Sequence, residues 1–139
     1  MLGPIIAGVV GILILVLLLI LASGIRFIPN NRIGIVEKRF GHRSVRGGFI
    51  ALNGEAGYQP DVLRGGIHYL VPFQYVVHIA PLVTIPQGKI GYIFARDGEP
   101  LSPMQVLATN VSANDFQDVA AFLNHGGQRG PQRQILRDT

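Results

Sequence analysis

The hydrophobic pattern divides the chain into two parts. The first 25 residues contain 19 apolar residues and no charged one, and residues 12–21 are apolar on every face. A helix from Pro4 to Ile25 would be about 33 Å long, which matches the roughly 30 Å hydrocarbon core of a bilayer. The pattern therefore predicts a transmembrane anchor over residues 1–25. The residues predicted to span the membrane are Ile5, Ile6, Val9, Val10, Ile12, Leu13, Ile14, Leu15, Val16, Leu17, Leu18, Leu19, Ile20 and Leu21.

A cleaved signal peptide is the alternative interpretation of this segment. Signal peptides have a basic N-terminal region and a shorter apolar run of about 7–15 residues, and this chain has neither. Ala22-Ser23-Gly24 is nevertheless compatible with a cleavage site, so the alternative stays open. Gly3, Ala7 and Gly11 recur at four-residue spacing, a pattern that allows close packing of helices in membranes.

Residues 26–139 are predicted to form one small domain in which strands precede helices. Runs rich in β-branched and aromatic residues predict strands at 33–40, 67–73, 75–79 and 90–96. The Gly-rich stretch 47–66 has no clear periodicity and is either an ordered loop or a short extra hairpin. The predicted fold class is α+β, with a small and mostly antiparallel sheet.

The helical period begins near residue 114. Asn114 and Gln117 have the spacing of a capping box, and Gly126 is a suitable C-terminal stop. The face predicted to be apolar consists of Phe116, Val119, Ala120 and Leu123. A second helix is expected to start at Gly130-Pro131, since Pro favours the first helical position. Because the chain stops in the third turn of that helix, the domain is expected to be incomplete at its C-terminus.

One segment of the domain occurs twice. Residues 28–36 return as residues 85–93, each as Ile-Pro, two polar residues, a cation and a strand that contains Gly. Arg39 and Gly41 match Arg96 and Gly98 at the same offset. The two copies predict two related β-hairpin units.

The charge distribution predicts orientation. No Lys or Arg precedes the anchor, and five cations follow it within about twenty residues, which by the positive-inside bias places the domain in the cytoplasm. These cations are Arg26, Arg32, Lys38, Arg39 and Arg43. They are predicted to contact lipid headgroups, at about 1 kcal/mol each near an anionic leaflet; the alternative is that they only determine topology. Nucleic acid is not an expected partner, because only Phe40 among the aromatic residues lies close to this cluster.

No residue pattern indicates catalysis, a metal site or a cofactor site. The four histidines lack ligand-like spacing, and His68 and His78 lie in predicted strands. Asp97-Gly98 is typical of a turn, and neither a phosphate-binding Gly-rich loop nor a nucleophile elbow is present. The absence of Cys excludes thiolate chemistry and S-acylation of this chain. The expectation is a protein that is not an enzyme and has no cofactor.

Three short motifs carry a resemblance to a known family. They are Ile28-Pro29 with Ile33-Gly34-Ile35-Val36, then Arg39-Phe40-Gly41, and then Leu63-Arg64-Gly65-Gly66-Ile67-His68-Tyr69-Leu70-Val71-Pro72-Phe73. In this order they resemble the opening of the stomatin/prohibitin/flotillin (SPFH, band 7) domain. The Gly-rich insertion 42–61 and the segment 85–91 are more similar to the bacterial flotillin-like branch. The resemblance covers residues 26–139, which would then be a partial SPFH domain.

The resemblance implies a scaffold at the inner face of the cell membrane. Members of this family assemble into large homo-oligomers, organise membrane microdomains and in some cases restrain membrane proteases. The expected partners are membrane lipids, further copies of the chain, and membrane proteases or other membrane proteins. The alternative is an accessory subunit that regulates a membrane protease or transporter.

Overall fold

The computed structural model describes residues 1–138, which form an apolar N-terminal helix followed by an α+β domain. Helix α1 covers Leu2–Ala22, so the predicted helix is confirmed but ends three residues earlier. The hydroxyl of Ser23 donates to Ile20 O at 2.6 Å, which satisfies one of the final carbonyls. Strand structure begins at Ile25, within the segment predicted to be helical.

Five strands follow α1, and all their pairings are antiparallel. They are β1 (Ile25–Ile28), β2 (Arg32–Lys38), β3 (Gly57–Leu63), β4 (Gly66–Tyr69) and β5 (Tyr75–Pro81). β2 lies between β3 and β5 in one sheet, and β1 pairs with β4 in a two-stranded ribbon. The Gly-rich stretch is therefore more than a loop, because its second half supplies β3, the partner of β2.

The core of this five-strand part of the domain lies where the end of β1 packs against β2. Ile28 is fully buried and Val36 is 5% exposed. A Cβ placed on Gly34 would lie 2.5 Å from Ile28 Cδ1 and 2.8 Å from Val77 Cγ1. Since real Cβ atoms do not approach that closely, only Gly at position 34 lets Ile28 pack across the strand.

The C-terminal part contains four short strands and one short helix. They are β6 (Ile90–Gly91), β7 (Phe94–Ala95), α2 (Val119–Asn124), β8 (Gly130–Pro131) and β9 (Leu136–Arg137). β6 pairs with β9, and β7 pairs with β8. The strand predicted over residues 90–96 is thus present as two pieces.

Helix α2 begins later than predicted, and the predicted capping box is wrong. Asn114, Asp115 and Phe116 have φ between 49° and 61°, a left-handed conformation that a right-handed helix cannot include. The N-cap is Asp118, whose carboxylate accepts from the Ala121 N–H at 2.8 Å. The buried side chain of α2 is that of Phe122, which does not belong to the predicted face.

The C-terminal end of α2 agrees with prediction. Gly126 has φ +78°, and its N–H donates to Leu123 O, while the Gly127 N–H donates to Phe122 O at 2.8 Å. This is a Schellman ending, in which Gly supplies the left-handed residue.

The second predicted helix, from Gly130 onward, is wrong. Gly130 has φ +112°, and the segment pairs as β8 and β9 with the preceding strands. Gln132 fixes this extended path, because its side-chain amide donates to Gln128 O at 2.6 Å and to Gly130 O at 3.0 Å. The expectation that the domain is incomplete was based on a truncated helix at this position, and the structure removes that argument.

The predicted repeat is present in the structure. The Arg32 N–H donates to Pro29 O, and the Lys89 N–H donates to Pro86 O, both at 3.1 Å. Ile85 packs over Gly91 as Ile28 packs over Gly34, since a Cβ on Gly91 would lie 2.8 Å from Ile85 Cδ1.

The repeat also extends further than the sequence comparison indicated. Gly34 pairs with Leu63 and Lys38 with Gly57, and their counterparts pair in the same way, Gly91 with Leu136 and Ala95 with Gly130. Gln59 donates to Glu55 O and Gly57 O, as Gln132 does to Gln128 O and Gly130 O. We call residues 25–64 the first unit and residues 82–137 the second unit.

Candidate functional site: the surface around the end of helix α1

Helix α1 is uncharged along its whole length, and every side chain on it is exposed in the structure. It is long and apolar enough to cross a membrane, and a signal sequence near an N-terminus would have the same properties. Because α1 has no apolar partner among residues 1–138, water is an unfavourable environment for all its faces.

The junction between α1 and the domain is held by one backbone hydrogen bond. The Leu70 N–H donates to Gly24 O at 2.9 Å, which brings the end of β4 back to the end of α1. A Cβ on Gly24 would collide with the Leu70 carbonyl oxygen, so this close approach requires Gly. The ribbon of β1 and β4 therefore starts directly at the end of the helix.

One face of that ribbon is apolar and exposed. Ile25 pairs with Tyr69 and Phe27 pairs with Ile67, and all four side chains point to the same face because side chains alternate along a strand. Their exposed fractions are 55%, 56%, 68% and 76%, respectively. Exposed apolar faces of this kind mark contacts with membranes or proteins.

Three further apolar side chains lie near this end of the domain. Phe40, Val71 and Phe73 are each more than half exposed. The Arg39 N–H donates to Gln74 O at 2.7 Å, which joins the chain before Phe40 to the turn that contains Phe73. Phe73 has φ +66°, an unfavourable conformation for an aromatic residue. These residues and the ribbon face together are called the α1-proximal surface.

The five cations predicted to contact lipid do not form one patch. Arg26 lies in β1 and Arg39 follows β2 at the end near α1, and both are exposed. Arg32 begins β2 opposite Pro81, at the other end of the strand and about 20 Å from Lys38. The Lys38 ammonium group donates a hydrogen bond to Gly54 O at 3.0 Å.

Arg43 is exposed beside a polar depression whose lining includes His42, Arg46 and Glu55. The Glu55 carboxylate accepts hydrogen bonds from the backbone N–H groups of Glu55 itself and of Asn53. These bonds hold the pKa of the Glu55 carboxyl below its ordinary value, and the charge of Arg43 adds to the effect. Lipid contact by the five cations stays a prediction.

The sequence pattern did not predict the α1-proximal surface. A period-two pattern was available, because Ile25 and Phe27 alternate with Arg26, and Ile67 and Tyr69 alternate with His68. In the sequence, Ile25 belongs to the predicted anchor and Phe27 to the segment that follows it. That Ile67 and Tyr69 share a face with them depends on the pairing of β1 with β4, which is a tertiary contact.

An apolar cavity lies between the two units. It has a volume of about 670 Å³, and its lining includes Ile35 and Tyr58 from the first unit and Ile93 and Leu123 from the second. At its edge, the Asp97 carboxylate accepts from the backbone N–H groups of residues 49 and 50 at 2.9 and 2.8 Å. Asp97 thereby ties the Gly-rich loop of the first unit to the second unit.

The two histidines that lie in strands make hydrogen bonds to neighbouring groups. His68 Nε2 lies 2.6 Å from Arg64 O, and His78 Nε2 lies 2.8 Å from a Glu37 carboxylate oxygen. Within residues 1–138, no group of three His, Asp or Glu side chains is placed to hold a metal ion.

The chain matches no protein-family model, no curated protein and no solved structure. The SPFH assignment therefore rests on the motifs of the sequence.

Proposed function

We propose that this protein is a membrane-anchored, non-enzymatic scaffold that self-assembles and organises lipids and other proteins in the cell membrane. The observation that carries the proposal is the continuity between α1 and the apolar ribbon face, which begins three residues after the helix ends. The resemblance to the flotillin-like branch supports the assembly and the scaffold role.

The ribbon face is the stronger of the two candidate membrane contacts. Complete burial of a large apolar side chain is worth about 1.5–3 kcal/mol, whereas a cation near an anionic leaflet contributes about 1 kcal/mol. The four side chains of the ribbon face are 55–76% exposed, so their complete immersion would contribute about 4–8 kcal/mol. Arg26 and Arg39, the two cations at the end near α1, would together contribute about 2 kcal/mol. Tyr69 also suits the interface, since its ring is apolar and its hydroxyl is polar. The domain would then lie against the bilayer surface instead of hanging from a flexible linker.

Tryptophan depth measurements test this contact, because the chain contains no Trp. In vesicles with brominated lipids, the fluorescence of a Phe27→Trp variant is expected to be quenched strongly. Val83→Trp is the matched control, since Val83 is 90% exposed and follows Leu82, whose N–H donates to Asn31 O at the far end of the first unit. Equal quenching of the two variants would contradict membrane apposition.

Charge substitution tests the predicted orientation. Replacing Arg26, Arg32, Arg39 and Arg43 with Glu removes most of the positive charge that follows α1 and is expected to disturb the cytoplasmic location of the domain. Protease accessibility in sealed vesicles measures that location. An unchanged cytoplasmic domain would show that these cations do not determine topology.

Affinity purification from membranes under mild detergent distinguishes the scaffold from an accessory subunit. A scaffold is expected to recover mainly further copies of itself. Stoichiometric recovery of a different membrane protein, with no self-association, would replace the scaffold by the accessory subunit of a protease or transporter.

A further inference from the structure

The second unit has an open strand edge where the first unit is covered. The first unit is covered by the two strands that follow it: β5 pairs along all seven residues of β2, from Arg32 with Pro81 to Lys38 with Tyr75, and β4 pairs along β1. The corresponding residues of the second unit are 89–95 and 82–85. Within residues 1–138, neither segment has a strand partner on the corresponding side.

This edge lacks the protection that exposed edges usually have. Native proteins place charged residues or Pro on open edges, because a row of free backbone groups recruits other strands. Residues 90–95 contain no charge and no Pro, and Tyr92 and Phe94 are 80% and 71% exposed. Such an edge is typical of a strand that is paired in the functional protein.

The path of the chain indicates where strands that cover this edge would enter. In the first unit, Leu63-Arg64-Gly65 ends at the turn before β2, where Gly65 packs against Asn30. In the second unit, Leu136-Arg137-Asp138 ends at the equivalent turn, where the Asp138 carboxylate accepts from the Gly88 N–H. The first unit continues from Gly65 directly into β4. Asp138 is therefore positioned as the residue that precedes a counterpart of β4.

We propose that polypeptide continuing from Asp138 covers this edge as an antiparallel strand pair, one strand along residues 82–85 and the next along residues 89–95. The matching chemistry is that of β4 and β5, uncharged and rich in aromatic and β-branched residues such as Tyr69, Val77 and Ile79. The pairing would join the pieces β6 and β7 into one strand, as β5 supports an uninterrupted β2. This inference rests on the repeat and is independent of the scaffold function.

Hydrogen exchange on the gene product from native membranes tests the proposal against the 139-residue chain in the same detergent. Peptides that cover residues 89–95 are expected to exchange at least about tenfold more slowly in the native product, and peptides that cover β2 should exchange equally in both. A native product with the 15.1 kDa mass of this chain, or equal exchange at 89–95, would overturn the proposal. Protection that rises with the concentration of the 139-residue chain would identify a second copy as the occupant and would also overturn it.

The register can be tested by cross-linking, since the chain has no Cys. In a variant with residues 67–81 repeated after Thr139, cysteines at Ile93 and at the repeated Val77 are expected to form a disulfide under mild oxidation. The matched control carries cysteines at Val36 and the original Val77, which pair across β2 and β5. Cross-linking of the control without cross-linking of the test pair would exclude the proposed register.

Discussion

Substitution of the two equivalent glycines is expected to have different effects on stability. Gly34→Ala places a Cβ 2.5 Å from Ile28 Cδ1 and 2.8 Å from Val77 Cγ1, and Ile28 is fully buried and cannot move aside. Overpacking of this kind destabilises the folded state by about 1–3 kcal/mol. Replacing Gly with Ala also lowers the conformational entropy of the unfolded chain, which stabilises the folded state by about 0.4–1 kcal/mol. With two close contacts, the expected net loss is about 2 kcal/mol.

Gly91→Ala meets a less confined neighbour. Its Cβ approaches only the terminal carbon of Ile85 below 3 Å, and Ile85 is half-buried and able to rotate. No counterpart of Val77 covers Gly91 within residues 1–138. The overpacking cost and the gain from the unfolded state are therefore similar, and the expected net change is within about 0.5 kcal/mol.

Urea unfolding of the 139-residue chain in micelles measures both changes. The four tyrosines all lie in the domain, so their fluorescence follows its unfolding without a contribution from α1. With a urea dependence of about 2 kcal/mol per molar, Gly34→Ala should lower the midpoint by about 1 M, and Gly91→Ala should leave it nearly unchanged. Equal shifts for the two variants would refute the reasoning, because the difference depends on the cover that β5 gives to Gly34.

Three further predictions concern polar contacts. Gln132→Ala removes two hydrogen bonds to backbone carbonyls from a buried side chain and should cost about 1–2 kcal/mol in the same assay, whereas Gln59→Ala should cost less because Gln59 is only half-buried and its bonds are longer. Asp97→Ala frees two amides of the Gly-rich loop, so hydrogen exchange there should accelerate while exchange in β2 stays unchanged. The Glu55 carboxyl should titrate below its ordinary pKa in a carbon-detected NMR titration, because its own backbone N–H and a neighbouring one donate to it. Since that pKa is depressed, the stabilising contribution is present above the unfolded pKa and is lost as the pH falls through the folded value.

Local chemistry determined the features that the sequence predicted correctly. The apolar helix α1 follows from composition alone, since its 21 residues are uncharged and almost all apolar regardless of what surrounds them. The turns at Pro29 and Pro86 and the stop at Gly126 depend on the φ preferences of single residues. The repeat was visible where both copies kept Ile-Pro and Gly, because those residues are required by the packing of Ile28 on Gly34 and of Ile85 on Gly91.

Only the tertiary structure decided the features that depend on distant partners. Residues 130–137 have the Pro and spacing of a helix start, but pairing with β6 and β7 and the Gln132 hydrogen bonds hold them as strands. Strand β3 also depends on a distant partner. It lies in the Gly-rich stretch, which has no period typical of a strand, and its extended conformation is held by pairing with β2. The apolar α1-proximal surface arises in the same way, because two separate period-two patterns become one face only when β1 and β4 pair. A strand depends on other segments for all of its backbone hydrogen bonds and for the burial of one or both faces, whereas a helix satisfies its backbone hydrogen bonds within its own segment.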